Sequence, residues 1–287
     1  MLLVLAASTA QAGAQEAGST PARAPETGST PAPGDSPAAE PPGMVTDRPD
    51  ITESTSIVPR GWVQLETGEV LARESDASTL LAGPSTLARI GVASRLELRL
   101  AWLGILHQDA EGDAEDPCAE CDVTAAGDGA VGIKLLLAER AGAIPDVALL
   151  PALTLPVGEE PFSTGRVDPA LKLALAGDVT DGLGWGANLG AAWLSGEEGE
   201  EGEEEDGRRR FLSWSLSFGM DLGGPAGAFF EYFGEDPNGE PAAHVLDAGL
   251  TWGLSPDAQL DASGGVGLDS GAPDWFIGAG VSVRFDL

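Results

Sequence analysis

Residues 211–220 read FLSWSLSFGM, and this run decides the fold. Leu212, Trp214, Leu216, Phe218 and Met220 share one face of an extended chain, and Ser213, Ser215, Ser217 and Gly219 share the other. That period of two is the pleat of a β-strand, since a helix would mingle the two sets around its surface. The pattern recurs on either side, in LELRLAW (96–102), VGIKLLL (131–137) and WFIGAGVSVRF (275–285). Each time Leu, Val, Ile, Trp or Phe stands opposite Gly, Ala, Ser or an isolated charge. A soluble β-sandwich or lipocalin-like barrel also alternates, but it turns its large residues inward. Large residues on one face and small or charged ones on the other suit a strand between lipid and a crowded lumen.

Twelve such runs follow one another, near 61–71, 83–91, 95–105, 126–138, 146–156, 167–177, 183–194, 209–221, 226–234, 242–252, 257–267 and 274–286. Their lengths suit tilted membrane-crossing strands. Connections are short near Ala93, Thr180, Gly224 and Ser255, and long after the third and seventh runs. An even strand count with both termini on the short-turn side predicts an all-β chain. The expected fold is a transmembrane antiparallel up-and-down β-barrel of about 12 strands in the outer membrane of a Gram-negative cell.

Composition narrows the alternatives. The chain has 287 residues, 46 acidic against 15 Lys and Arg, a net charge of −31 and 43% apolar residues. No stretch beyond the first dozen residues reads as a continuous apolar helix, so a polytopic helical membrane protein is excluded. A pI near 4.1 leaves no basic face for phosphates, so no nucleic-acid partner is expected. Residues 1–12, MLLVLAASTAQA, read as a signal peptide with Ala10 and Ala12 at an A-x-A cleavage site; no basic residue precedes the apolar run, so it reads as truncated at its start. Residues 13–45 lack periodicity and, being rich in Pro, Ala, Gly, Ser and Thr, read as a disordered tether. Residues 46–60, opening TDRPDITEST, form a periplasmic N-terminal segment that could plug the lumen, and 61–287 form the barrel.

Several stretches together resemble one family: TDRPDITESTSIVPRGWVQLETG, STLARIGVASRLELRLAW, GDGAVGIKLLL, the NLG of GANLG, GLTWGLSPDAQLDASGGVGL and FIGAGVSVRF. In order and spacing they are similar to the MetA-pathway phenol-degradation family of outer-membrane barrels, over roughly 46–287. The resemblance implies a twelve-stranded barrel, a transport role and hydrophobic or aromatic solutes. The chain departs from the pattern by ending in Asp286-Leu287 rather than an aromatic residue, although Phe285 is adjacent.

Sorting the strands by face puts Glu66, Arg89, Glu97, Arg99, Asp128, Lys134, Asp168, Lys172, Glu231, Asp247, Asp261 and Arg284 toward the lumen. These mixed-sign residues either pair with one another, sparing each its desolvation cost, or line a thin selective path. The seven Trp residues fall near strand ends, as aromatic girdles do. The run GEEGEEGEEEDG (196–207) reads as a solvated outer loop; weak collection of divalent cations is the alternative, but the spacing of a calcium loop is missing and no metal site is assigned. Cys118 and Cys121 lie in a long acidic loop, where an export-compartment disulfide is favoured over free thiols or zinc. A hydrolase would need a nucleophile set against histidine, and only His107 and His244 are available, with no G-x-S-x-G. No enzyme activity and no cofactor are expected. The partners implied are outer-membrane lipid and lipopolysaccharide, small-molecule solutes and the outer-membrane insertion machinery. Passive passage of small solutes is the function the pattern favours, with a closed structural or surface-binding barrel as the alternative.

Overall fold

The computed structural model describes residues 43–75, 78–111, 120–142, 144–195, 208–238 and 241–287. The expected signal peptide, most of the expected tether, the acidic run 196–207 and the expected Cys118–Cys121 pairing lie outside the described residues. Among the described residues every regular element is a strand. They are β1 (Trp62–Ser75), β2 (Ser78–Ala93), β3 (Leu96–Trp102), β4 (Ile105–Glu111), β5 (Glu120–Ala126), β6 (Gly129–Ala138) and β7 (Asp146–Leu155). The rest are β8 (Asp168–Thr180), β9 (Leu183–Ser195), β10 (Arg208–Gly223), β11 (Ala226–Asp236), β12 (Ala243–Ser255), β13 (Ala258–Gly267) and β14 (Trp275–Asp286).

These fourteen segments make a wall of twelve strands. β3 and β4 both pair with β2, along its Thr86–Ala93 and Ser78–Gly83 halves, so they are two parts of one strand broken at Leu103–Gly104. β5 and β6 are likewise parts of the next strand, broken at Gly127–Asp128. Backbone hydrogen bonds from Leu103 to Asp128 (3.0 Å) and from Gly127 to Gly104 (2.9 Å) carry the pairing across the double break. Every neighbouring pair is antiparallel, and β1 pairs along its length with both β2 and β14, which closes the sheet into a barrel, while β5 at the rim pairs only with β4 among the described residues. The twelve alternating runs thus correspond to the twelve wall strands, except that 106–111 and 120–125, which read as loop in the sequence, continue the third and fourth of them as β4 and β5.

The outer surface carries the apolar face that the alternation predicts. Leu100, Leu171, Leu189, Leu216, Phe230, Leu250, Leu260 and Ile277 are all exposed large hydrophobic residues, on strands around the whole circumference. Such an area is a liability in water and a requirement in lipid. Trp102, Trp193, Trp252 and Trp275 belong to the same exposed set, whereas Trp62 stacks with the Arg284 guanidinium 5.2 Å from its ring.

The inner face departs from the expectation that only small and charged residues line it. Leu80, Leu106, Phe233, Val245 and Phe276 are buried, and Phe162, from the connection after β7, joins them in one cluster. They collect toward the ends of strands that carry the long connections, and from the inserted chain described below only the apolar Ile51 packs against them. Apolar side chains there replace the polar filling used deeper in the lumen.

Leu216 and Leu250 face outward near mid-strand, so Leu216→Arg or Leu250→Arg is expected to cost about 2–4 kcal/mol in a lipid-refolding titration. Exposures of 41% and 59% leave both side chains against the bilayer. Loss of stability no larger than that of a conservative change would show that the strand faces are assigned wrongly.

Candidate functional site

The lumen is occupied by the protein's own chain. Residues 46–55 are almost entirely buried, although eight of these ten side chains are polar or charged. The chain enters the wall at Gly61, whose φ of 82° lets it reverse from the lumen into β1, and Gly61 N donates to Gly91 O on β2 at 2.9 Å. From that anchor the segment runs across the inside of the barrel, and its bonding partners lie on strands around the ring.

The strongest cluster centres on Asp47. Its carboxylate meets Arg99 at 2.6 Å, Lys134 at 2.8 Å and Arg89 at 3.2 Å, from β3, β6 and β2. It also accepts from Ser54 N and Oγ, while Asp47 N donates to Glu66 Oε2 at 2.7 Å. Arg89 in turn reaches Glu66 at 3.0 Å and Glu97 at 2.9 Å, and Val58 N donates to Glu97 Oε2. Burial alone would raise the Asp47 carboxyl, but Arg89, Lys134 and Arg99 hold it well below the usual carboxylate range. Three wall cations therefore face three carboxylates, one of which the segment brings.

A second contact set surrounds Glu53. Its carboxylate pairs with Arg99 at 2.9 Å and Lys172 at 3.0 Å, and its backbone exchanges bonds with the Asn188 amide on β9 at 2.7 and 3.1 Å. On the opposite side Arg48 reaches Asp261 on β13 at 3.2 Å. Its guanidinium lies where a side chain at Gly68 or Gly280 would stand, so glycine on β1 and β14 makes room for it.

The contacts with β10–β12 have a different character. Thr52 Oγ1 bonds to Ser215 Oγ at 2.7 Å and donates to Glu231, and Ile51 N donates to Glu231 Oε2 at 2.6 Å. Asp50 bonds to Ser217, and Glu231 stands directly across the β11–β12 ladder from Asp247. This corner holds three carboxyls and no paired cation.

Of the twelve charged residues read from the sequence as lumen-facing, all but the half-buried Lys172 are buried. Glu66, Arg89, Glu97, Arg99, Lys134, Lys172, Glu231 and Asp261 bond to the segment, and Asp247 lies beside its contact with Glu231. Asp128 and Asp168 instead hold the outer connections, accepting from Gly158 N and from Ser195 and Thr164. Arg284 bonds to Asp257 in the turn before β13 and contacts no residue of the segment. Sequence reasoning missed the partners Asp47, Asp50, Glu53 and Asn188. The residues 46–55 contain three acids and one Arg in a short polar run, yet they have no strand period to show where they point.

Between the segment and the β6–β10 wall a cavity of about 320 Å³ remains. Its wall side is built of small residues, including Ala101, Ala130, Gly132, Ala152 and Ala170, and Glu53, Arg99, Asp128, Asp168 and Lys172 are set around it. Asp128 Oδ2, buried and without a hydrogen-bond partner, is among the polar atoms there.

A closed twelve-stranded barrel whose lumen takes in a TDRPDITEST segment corresponds in sequence to one family model, described as "Putative MetA-pathway of phenol degradation", which matches residues 46–285. The chain belongs to this family. Among solved structures it is similar to the COG4313 outer membrane channel from Pseudomonas putida F1, at 14% identity, with 79% of this chain and 97% of that one covered and a TM-score of 0.59. It is also similar to the NanC porin, at 10% identity, with 78% and 100% covered and a TM-score of 0.52. At these identities the likeness is one of fold. No curated protein matches the chain in sequence.

Breaking the Asp47 contacts leaves Arg89, Arg99 and Lys134 short of a carboxylate in a desolvated space, a loss of about 3–5 kcal/mol for a buried pair. Asp47→Ala is therefore expected to raise amide exchange across 46–60, measured by mass spectrometry, and to leave exchange in β7–β14 unchanged. Unchanged exchange in the segment would show that this cluster does not hold it.

Proposed function

We propose that the protein is a passive channel of the Gram-negative outer membrane for small solutes, with residues 46–60 as an internal plug that narrows the path. The observation that carries this reading is the cavity of about 320 Å³ left beside the segment. The Ala and Gly surface of that cavity accepts an apolar body, and the charges around it accept a polar group. Small hydrophobic or aromatic compounds with one polar substituent fit that lining, in keeping with the phenol named in the family description. No catalytic step is assigned: His107 meets the Thr124 hydroxyl at 2.7 Å and Asp122 at 3.4 Å through the same ring nitrogen, so no relay from hydroxyl through imidazole to carboxylate is formed, and His244 bonds to Tyr232. The outward apolar belt supports lipid and lipopolysaccharide as the surroundings, reached through the outer-membrane insertion machinery.

A second reading, a closed barrel with a structural or surface-binding role, draws on the number of bonds that hold the segment in place. Conductance separates the two. Purified protein in planar bilayers should conduct weakly, and removal of 46–58 should raise the conductance severalfold. If neither form conducts, the closed-barrel reading holds.

The six outer connections, including the run 196–207, contain 17 of the 46 acidic residues. They place negative potential at one mouth, effective over about a Debye length of roughly 8 Å. The reversal potential under a salt gradient should thus show cation preference, weakened at low salt when the acids of 196–207 are neutralised. Anion preference would contradict this account.

A further inference from the structure

The segment is held at its two sides by different chemistry. On the β2–β6 side carboxylates meet cations, as at Asp47 with Arg89, Arg99 and Lys134. On the β10–β12 side Asp50, Glu231 and Asp247 meet one another. Asp50 and Asp247 are 1% and 4% exposed, and Glu231 is fully buried. No hydrogen-bond partner reaches Asp50 Oδ1 or either oxygen of Asp247. The Glu231–Asp247 contact becomes a hydrogen bond only when one of the two carries a proton.

Among the described residues no cation is paired with any of the three. β10 contributes Ser215 and Ser217, and β9 contributes Asn188. From β13 comes Asp261, already engaged with Arg48 of the segment, and Glu53 is engaged with Arg99 and Lys172. Among the described residues no group of acids is arranged to hold a metal ion. Three desolvated carboxyls without a cation are stable together only while they share protons.

We propose that Asp50, Glu231 and Asp247 form a proton-dependent latch, which docks residues 46–60 against β10–β12 while protonated and releases that side of the segment on ionising. This inference rests on the channel reading only for its effect on conductance; the latch itself is a property of the segment. Burial pushes the docked Asp50 carboxyl well above its ordinary value, and the Glu231 and Asp247 charges push it further. A group raised by docking favours the docked state fully below its ordinary pKa, and that advantage falls as pH rises from the carboxylate range toward the raised value. Asp47 behaves oppositely: its lowered pKa makes its contribution complete above the ordinary range and lost only in strong acid. Across weakly acidic to alkaline pH the Asp47 carboxylate therefore stays ionised, and the Asp50 carboxyl is the group of the segment that responds.

The test is amide exchange of the full-length protein in lipid vesicles at pH 5 to 9, corrected for the intrinsic pH dependence of exchange, beside bilayer conductance over the same range. Opening of 50–54 should increase by up to about tenfold per pH unit for each proton released, and 57–60 near the Gly61 anchor should change little. The double variant Asp50→Asn, Asp247→Asn should keep the segment docked and flatten the profile, while Lys172→Met, outside the latch, should leave the profile in place. A wild-type profile that is flat, or one that survives in the double variant, overturns the latch whatever the conductance. A pH-dependent exchange without any conductance supports the latch and refutes the channel reading instead.

Discussion

The meeting of Asp47 with Arg89, Arg99 and Lys134 is the interaction on which the interior depends. A twelve-stranded wall brings inward side chains from all sides close together, and here it places three cations within one patch of β2, β3 and β6. The wall's own acids at that level, Glu66 and Glu97, do not balance them. Asp47 and Glu53 from the segment complete the balance, which explains why a run of polar residues without any apolar periodicity is nevertheless buried. Folding the segment inward thus satisfies the wall as much as the wall satisfies the segment.

The same principle sets the pattern elsewhere. Toward the long connections Leu106, Phe233, Val245 and Phe276 fill the barrel with Phe162 among them and Ile51 of the segment against them, so that little polar surface needs a partner. Where small residues face the segment across a gap, the cavity beside β6–β10 remains. On the outside, with lipid as solvent, the requirement reverses and the largest apolar side chains are the exposed ones. The barrel is therefore an inside-out protein with a polar core assembled partly from its N-terminal chain.

Much of this architecture is legible in the sequence because a strand states its two faces by parity. The run 211–220 separates Leu216 from Ser215 without any further information, and the same rule places Lys134, Glu231 and Arg284 inward. Parity says nothing about which inward charges meet. Arg284 looks identical to Arg89 on that test, yet it bonds to Asp257 of a turn, whereas Arg89 joins the Asp47 cluster. Asp128 and Asp168 likewise hold outer connections rather than the segment. The breaks at Leu103–Gly104 and Gly127–Asp128 were also hidden, since ILHQDAE and ECDVTAA beyond them carry no apolar alternation and read as part of a long acidic loop rather than as strands. The path of 46–60 is the least legible part: its order comes from partners 19 to 213 positions away, such as Glu66 and Asp261.

Whether the N-terminal segment lies in the lumen of the membrane-inserted protein is the point on which the account turns. Thr52 Oγ1 and Ser215 Oγ lie 2.7 Å apart, from the segment and from β10. The most direct measurement introduces Thr52→Cys and Ser215→Cys in a chain with Cys118 and Cys121 replaced, inserts it into vesicles and scores the disulfide by mass spectrometry under mild oxidation. The account predicts that the cross-link forms in the folded barrel, and that before oxidation both thiols are slow to react with a bulky water-soluble reagent. Rapid labelling of position 52 with no cross-link to position 215 would contradict it.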